Sequence, residues 1–322
     1  MTAGAAATQG AGRRLIAVVS SFRPTDELVR NVGLIAGQVD EVVVVDDGSG
    51  PDYGAVLDHV RAAGARVVAL AENQGIAAAL NAGLREAALA PEDLVVTFDQ
   101  DSTVPEGFIA ALVAQWDAGV RAGLAMGMVS PESFAGLRQV LRGADEHGFR
   151  HSREPIQSGS LVSGEVLAAA GYQREELFID LVDIEYYLRL KRLGRACLVA
   201  PGLVLPHELG RTYPFTLLGR RIRLSGRQLT LSLSTPFRYY YRARSRVVIN
   251  REYWRSDPAL LSVDTLREIQ HVLLVGLYAQ PRGAIARVIA RGLRDGWRGR
   301  MGKMPDDVAQ TAARVSWRID PL

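Results

Sequence analysis

The sequence predicts an α/β fold, a mainly parallel central sheet flanked by helices, followed by a basic and mainly helical C-terminal region. Three observations predict it. Short β-branched runs alternate with segments of helical spacing through the first hundred residues, which implies right-handed crossovers and a sheet covered on both faces. The later runs break off into polar residues, at Asp46-Asp47, Asn73 and Asp99-Gln100-Asp101, where sheets of this kind bind ligands. From residue 211 to 255, eleven arginines stand against the single acid Glu252, which sets that region apart from the rest.

Residues 14–20 (RLIAVVS) form a first buried strand, ended by Ser21-Phe22-Arg23-Pro24. Leu28, Val32, Leu34 and Ile35 give residues 26–37 the spacing of a helix. Residues 40–50, centred on Val42 to Val45, are the second strand and end in Asp46-Asp47-Gly48-Ser49-Gly50. A helix over 53–63, a strand over 65–70, a turn at Asn73-Gln74-Gly75 and an Ala-rich helix over 76–89 follow. Residues 94–98 are the fourth strand, and residues 105–118 a helix. Residues 124–130 read as another strand, 131–153 as irregular chain, 158–163 as a strand entering a turn, and 165–171 as a short helix. A helix starts near Asp180 or Val182, and 198–204 is a last short strand.

The fourth strand carries the most chemistry. In extended chain, residues i and i+2 point the same way, so Asp99 and Asp101 can face one ligand together. Adjacent carboxylates repel, and a hard divalent cation with phosphate oxygens in its shell would relieve them; the alternative is a turn and a helix cap. Asp46-Asp47-Gly48-Ser49 either turns the chain or accepts a pyrimidine imide and ribose hydroxyls. Asn73 and Asn81 either meet a ligand or terminate helices. Asp180, Asp183 and Glu185 are three acids in six residues at a helix start, more than capping requires. His147 and His151 are four apart and could share a helix face as metal ligands, but Gly148 and the charges around them favour a solvated loop. His207 is either structural or a third metal ligand.

The totals bound these readings. A chain of 322 residues exceeds the usual size of one core. Apolar content of 48% with 7% aromatic residues is that of a globular protein. The single cysteine, Cys197, excludes an internal disulfide and makes a reducing compartment the default. The first twelve residues, expected to be disordered, show no signal peptide, and no apolar stretch reaches the roughly 20 residues of a spanning helix. Neither a Gly-x-Gly-x-x-Gly after the first strand nor a Walker loop is present. A diphosphate would therefore need its charge offset by a metal.

Val45-Asp46-Asp47-Gly48-Ser49, Asn73-Gln74-Gly75 through Asn81, Asp99-Gln100-Asp101-Ser102 and Phe178-Ile179-Asp180-x-x-Asp183-x-Glu185 occur in that order. In this set the chain resembles the family 2 inverting glycosyltransferases with the GT-A fold, over roughly residues 14–305. The segments Arg238-Tyr239-Tyr240-Tyr241-Arg242 and Gly292-Leu293-Arg294-Asp295-Gly296-Trp297 are similar to the bacterial rhamnosyltransferase branch, which often has Arg-Asn where this chain has Arg242-Ala243.

The resemblance implies a catalytic domain over residues 13–210, with donor (13–130) and acceptor (131–210) halves, and a basic region over 211–322. It implies donor contacts from Asp46, Asp47, Asn73, Gly75, Asn81, Asp99 and Gln100, and Mg²⁺ or Mn²⁺ on Asp99, Asp101 and His207. Gly159, Asp180 and Glu185 would bind the acceptor, and Asp183 would be the base of a single, inverting displacement. Arg238 and Arg242 would meet the diphosphate or a membrane. The implied reaction moves L-rhamnose from dTDP-rhamnose to a saccharide, lipid-linked acceptor in cell-surface polysaccharide assembly. The alternatives are a UDP-hexose donor, or a non-catalytic protein binding a nucleotide-sugar or nucleic acid.

In the C-terminal third, apolar and aromatic residues interleave with the arginines. Ile285, Val288, Ile289, Leu293 and Trp297 can share one helix face, with Arg287, Arg291, Arg294 and Arg298 elsewhere. Such a helix either attaches to an anionic membrane surface or packs on the protein. The first alternative predicts a cytoplasmic enzyme peripheral to the inner face of the plasma membrane; the lack of a recognised motif argues against nucleic acid.

Overall fold

The structure is a computed structural model and describes residues 12–141, 143–206, 212–217, 220–224 and 226–321. Residues 1–11 of the N-terminal stretch expected to be disordered, and His207, lie outside the described residues. The chain divides into two compact units, Met1–Glu175 with Val182–His207, and Glu176–Leu181 with Glu208–Leu322.

The first unit holds β1 (Leu15–Ser21), α1 (Asp26–Ala36), β2 (Glu41–Asp46), α2 (Gly54–Ala62), β3 (Arg66–Ala69), α3 (Ile76–Glu86), β4 (Leu94–Asp99) and α4 (Phe108–Arg121). These are followed by β5 (Met126–Phe134), β6 (Leu137–Arg138), β7 (Ser160–Ser163), α5 (Gly164–Ala170), α6 (Val182–Arg192) and β8 (Ala196–Leu205). The sheet order is β3-β2-β1-β4-β7-β5-β6, with β8 also on β5. β1, β2, β3 and β4 run parallel. Val42 to Val45, all at most 2% exposed, show why these runs lack alternation: helices cover both faces of the strand.

β7 departs from the expected parallel order by running antiparallel to both β4 and β5. An antiparallel strand begins at the edge where its neighbour ends. Gln157 and Ser158, just before β7, therefore arrive beside the carboxyl end of β4. The return from β5 is also less irregular than expected, because the bridges Val140 to Ser152 and His151 to Leu198 tie it down. His151 donates to or accepts from Asp145 Oδ2 at 2.8 Å, and the His147 amide donates to Asp145 Oδ1. Both histidines thus brace a loop.

In the second unit, the described residues between 212 and 232 include short antiparallel pairs, among them Thr212–Pro214 with Thr230–Ser232. Helices α7 (Arg238–Tyr253), α8 (Pro258–Tyr278), α9 (Arg282–Trp297) and α10 (Asp306–Ala313) complete it. Successive residues of a helix point about 100° apart, and Tyr239, Tyr240 and Tyr241 are nevertheless all buried. Each hydroxyl finds a partner: Tyr239 with His271 Nε2, Tyr240 donating to Asp295 Oδ2, and Tyr241 accepting from the Met304 amide. A Cβ on Gly292 would lie 2.4 Å from the Tyr240 carbonyl oxygen, so that glycine permits the close α7–α9 crossing. Ile285 and Val288 of α9 are core residues of this unit. Those two pack within the unit, whereas Leu293 and Trp297 of the same expected face are 43 and 67% exposed.

Candidate active site

β1, β2 and β4 end together. Ser21 lies opposite Asp46 and Ser20 opposite Asp99. The chain winds from β1 through β2 to β3 on one side, then crosses to β4 on the other. The crevice at that switch point is where open α/β sheets take their ligands.

The carboxylates there first organise their own loops. Asp47 Oδ1 accepts the Gln74 amide at 2.7 Å, and its Oδ2 accepts the Gly75 amide and Asn73 Nδ2, both at 2.9 Å. Asp46 accepts the backbone N–H and hydroxyl of Ser49, and Ser49 Oγ accepts the Arg23 amide at 2.6 Å. Gly48, at φ +67°, brings the two loops together: a Cβ there would lie 2.2 Å from the backbone carbon of Glu72. Asp46 and Asp47 are 3 and 4% exposed; a carboxylate has about four acceptor sites, and the two Ser49 donors leave part of those of Asp46 for a ligand.

At β4, Gln157 Nε2 donates to Asp99 Oδ1 and the Asp99 amide donates to Ser158 Oγ at 3.2 Å. The Ser158 hydroxyl also meets Ser102 Oγ at 2.7 Å. Gln100 clamps the end of β1, its side chain bonding both the N–H and C=O of Phe22, while its carbonyl accepts Asn31 Nδ2. Asp101 lies exposed on the turn beyond. Ser21 Oγ is buried and has no hydrogen-bond partner among the described residues. A buried hydroxyl at the crevice without a partner is a natural ligand contact.

Two parts of the site were missed by the sequence reading. Ser21 looked like the break after a strand, and Gln157 and Ser158 reach Asp99 only because β7 is antiparallel. Gly159 follows them, its amide donating to the Thr97 carbonyl at 2.7 Å.

Other expected contacts are engaged elsewhere. Asn81, expected at the donor, is 1% exposed; its Nδ2 donates to Gln173 O and Glu175 Oε1, and its Oδ1 accepts the Gln173 amide. Burial works against the charge of Glu175, but hydrogen bonds from Asn81 and Arg85 outweigh it and hold that carboxyl below its usual range. Glu185, expected at the acceptor, is 2% exposed and paired with Arg189 at 2.5 Å. Arg242 pairs with Glu268 and lies over the Tyr239 ring. A buried, paired group is not free to bind substrate without loss of its partner.

The second chemical centre divides between the units. Asp180 belongs to the second, where Arg238 Nη2 donates to its Oδ1 at 2.6 Å. Asp183 belongs to the first and is the second residue of α6. It is half-buried, and its Oδ1 accepts the Ile184 amide at 2.8 Å.

A switch-point crevice ringed by carboxylates fits a nucleotide-diphospho-sugar transferase of the GT-A type. Residues 18–177 match the family model described as Glycosyl transferase family 2, and the chain belongs to that family of enzymes. It is 26% identical over 279 residues to "dTDP-rhamnosyl transferase RfbF" of Shigella flexneri, a match covering 81% of this chain and 88% of that protein. Among solved structures it is similar to glucosyl-3-phosphoglycerate synthase of Mycobacterium tuberculosis in complex with Mg²⁺ and uridine-diphosphate, at 22% identity and a TM-score of 0.43 over 62% of this chain and 72% of that one. It is similar to a 4-diphosphocytidyl-2C-methyl-D-erythritol synthase at 17% identity and a TM-score of 0.37 over 62% and 91%. Likenesses this low add nothing to the assignment.

Proposed function

We propose that the chain transfers L-rhamnose from dTDP-rhamnose to a hydroxyl of a lipid-linked saccharide in the assembly of a cell-surface polysaccharide. The observation that carries this reading is its 26% identity, across 81% of its length, to a dTDP-rhamnosyl transferase.

The residues then divide the work. Asp46 and Asp47 receive the pyrimidine imide and ribose hydroxyls. Ser21 Oγ and the β4 end meet the rest of the donor. Among the described residues no group of three or more ligating side chains is present. Two hard carboxylates completed by substrate phosphates are, however, the set that Mg²⁺ takes, so Asp99 and Asp101 fit it. When bound, the ion neutralises charge developing on the departing nucleoside diphosphate. Gln157 and Ser158 hold Asp99 in place for that task. Asp183 takes the proton from the acceptor hydroxyl as its oxygen attacks the anomeric carbon. One displacement needs one base and inverts the configuration. A lipid-linked acceptor calls for peripheral attachment at the inner face of the plasma membrane.

The test is release of dTDP by purified protein given dTDP-rhamnose, UDP-glucose or UDP-galactose, with Mg²⁺ or Mn²⁺ and with chelator, with donor binding measured in parallel. Metal-dependent turnover and binding of dTDP-rhamnose above the others is expected. Preference for a UDP-hexose overturns the donor assignment, and neither binding nor turnover of any donor overturns the enzymatic reading.

A further inference from the structure

The outward face of α8 is apolar. This helix of 21 residues is about 32 Å long, and it turns Leu261, Val275 and Tyr278 inward. On the other side Val263, Leu266, Ile269, Leu273 and Leu277 are 41 to 67% exposed. At 100° per residue they fall within a sector of roughly 120°. The polar residues inside that sector, Ser262 and Gln270, are uncharged. A contiguous exposed apolar stripe of this length marks an interaction surface.

Charge selects the partner. The second unit carries 21 Lys and Arg against 11 Asp and Glu, whereas the rest of the chain carries 17 against 24. Pairing two copies through α8 would bring two strongly basic bodies together. An anionic surface is complementary to both the stripe and the charge. Exposed Trp254 and Arg255 precede the helix and exposed Arg282 follows it, which places amphipathic anchors at both ends. No helix among the described residues is long and apolar enough to cross a membrane, so such contact is in-plane.

We propose that the outward face of α8 lies on an anionic lipid bilayer, with its five aliphatic side chains at the boundary between headgroups and acyl chains. This rests on the peripheral attachment proposed above and moves it from α9, whose Ile285 and Val288 are core residues, to α8.

The test is flotation of the full chain with vesicles of phosphatidylcholine alone or with added phosphatidylglycerol, for the wild type and for Leu266→Gln with Leu273→Gln. The wild type is expected to float with the anionic vesicles. The double variant, unchanged in circular dichroism, is expected to lose at least about tenfold in partitioning. Leu273→Gln alone, at the most exposed position, serves if the double variant does not fold, and is expected to lower partitioning several-fold. A wild type that stays down even at low salt overturns the peripheral attachment and this surface with it. Variants that float like the wild type overturn the α8 assignment alone. A wild-type dimer that the substitutions dissociate, without vesicle binding, gives the face to a second copy of the chain and overturns the proposal.

Discussion

Replacing Arg244 by methionine should loosen the segment that leads into α6. Arg244 is fully buried; its Nη1 donates to Gly302 O at 2.5 Å, and its Nη2 donates to Glu176 O at 3.2 Å and Leu177 O at 2.9 Å. The same short segment holds Phe178, Asp180 and Leu181 at φ of 69°, 65° and 63°. Each non-glycine residue in the left-handed region costs about 1–2 kcal/mol, or roughly 3–6 kcal/mol for the three. Stacking of Phe178 on Tyr241 at 4.9 Å and the Arg238 pair with Asp180 help hold that conformation. Methionine fills part of the volume but removes the guanidinium's hydrogen bonds to two segment carbonyls, which keep the Gly302 and Ile179 amides; hydrogen bonds from a charged group contribute about 1.5–3 kcal/mol each. The loss is thus of the same order as the strain it opposes. Amide exchange across 176–183, followed by mass spectrometry, should rise by roughly 30- to 1000-fold, equivalent to about 2–4 kcal/mol of opening free energy. With Asp183 two residues beyond the segment, kcat should fall while donor affinity holds. Unchanged exchange in a folded Arg244→Met protein would refute this account of how the segment is held.

Asp101→Asn should abolish the response of turnover to added Mg²⁺ or Mn²⁺ while leaving the melting temperature within a degree or two, because the side chain is exposed; a full metal response in the variant would remove Asp101 from the ligand set. Asp183→Asn should lower kcat by roughly 10²- to 10⁴-fold with donor binding intact, and a smaller loss would assign the base elsewhere. Asp93 accepts from the backbone and guanidinium of Arg14 and from the Ala90 amide. Burial opposes its charge, yet these donors hold its carboxyl below the usual value of 3.8. A depressed carboxyl contributes stability above that value and loses it as pH falls through the folded pKa. Asp93→Asn should therefore cost about 1–3 kcal/mol in urea unfolding near pH 7, with the difference shrinking below about pH 4; a pH-independent difference would remove the charge from the explanation.

Much of the first unit is legible in its sequence, for a physical reason. Val42 to Val45 and Leu94 to Phe98 are continuous β-branched and apolar runs that only a two-sided burial explains, and their polar ends fall where the sheet ends. Strand direction has no such signature. Nothing in the pattern of 160–163 distinguishes parallel from antiparallel, and with direction went the arrival of Gln157 and Ser158 at Asp99. The tasks of Asn81 and Glu185 were hidden differently. Asn81 is fixed by Gln173, 92 residues away, and only the folded chain brings that partner to it. For α9, a face of Ile285, Val288, Ile289, Leu293 and Trp297 reads the same whether lipid or protein covers it; the neighbouring helices bury Ile285 and Val288 and leave Leu293 and Trp297 exposed.

The brief passage of the chain through the second unit at Glu176–Leu181, before it returns to the first at Val182, bears on how such an enzyme can evolve or be rebuilt. A single crossover near residue 208 exchanges the C-terminal helices but leaves this inserted strap behind, with its carbonyls facing a foreign scaffold. Grafting the second unit of a relative therefore requires three junctions, two around the strap and one near residue 208, and homologous exchange should preserve the strap and its arginines as one inherited block.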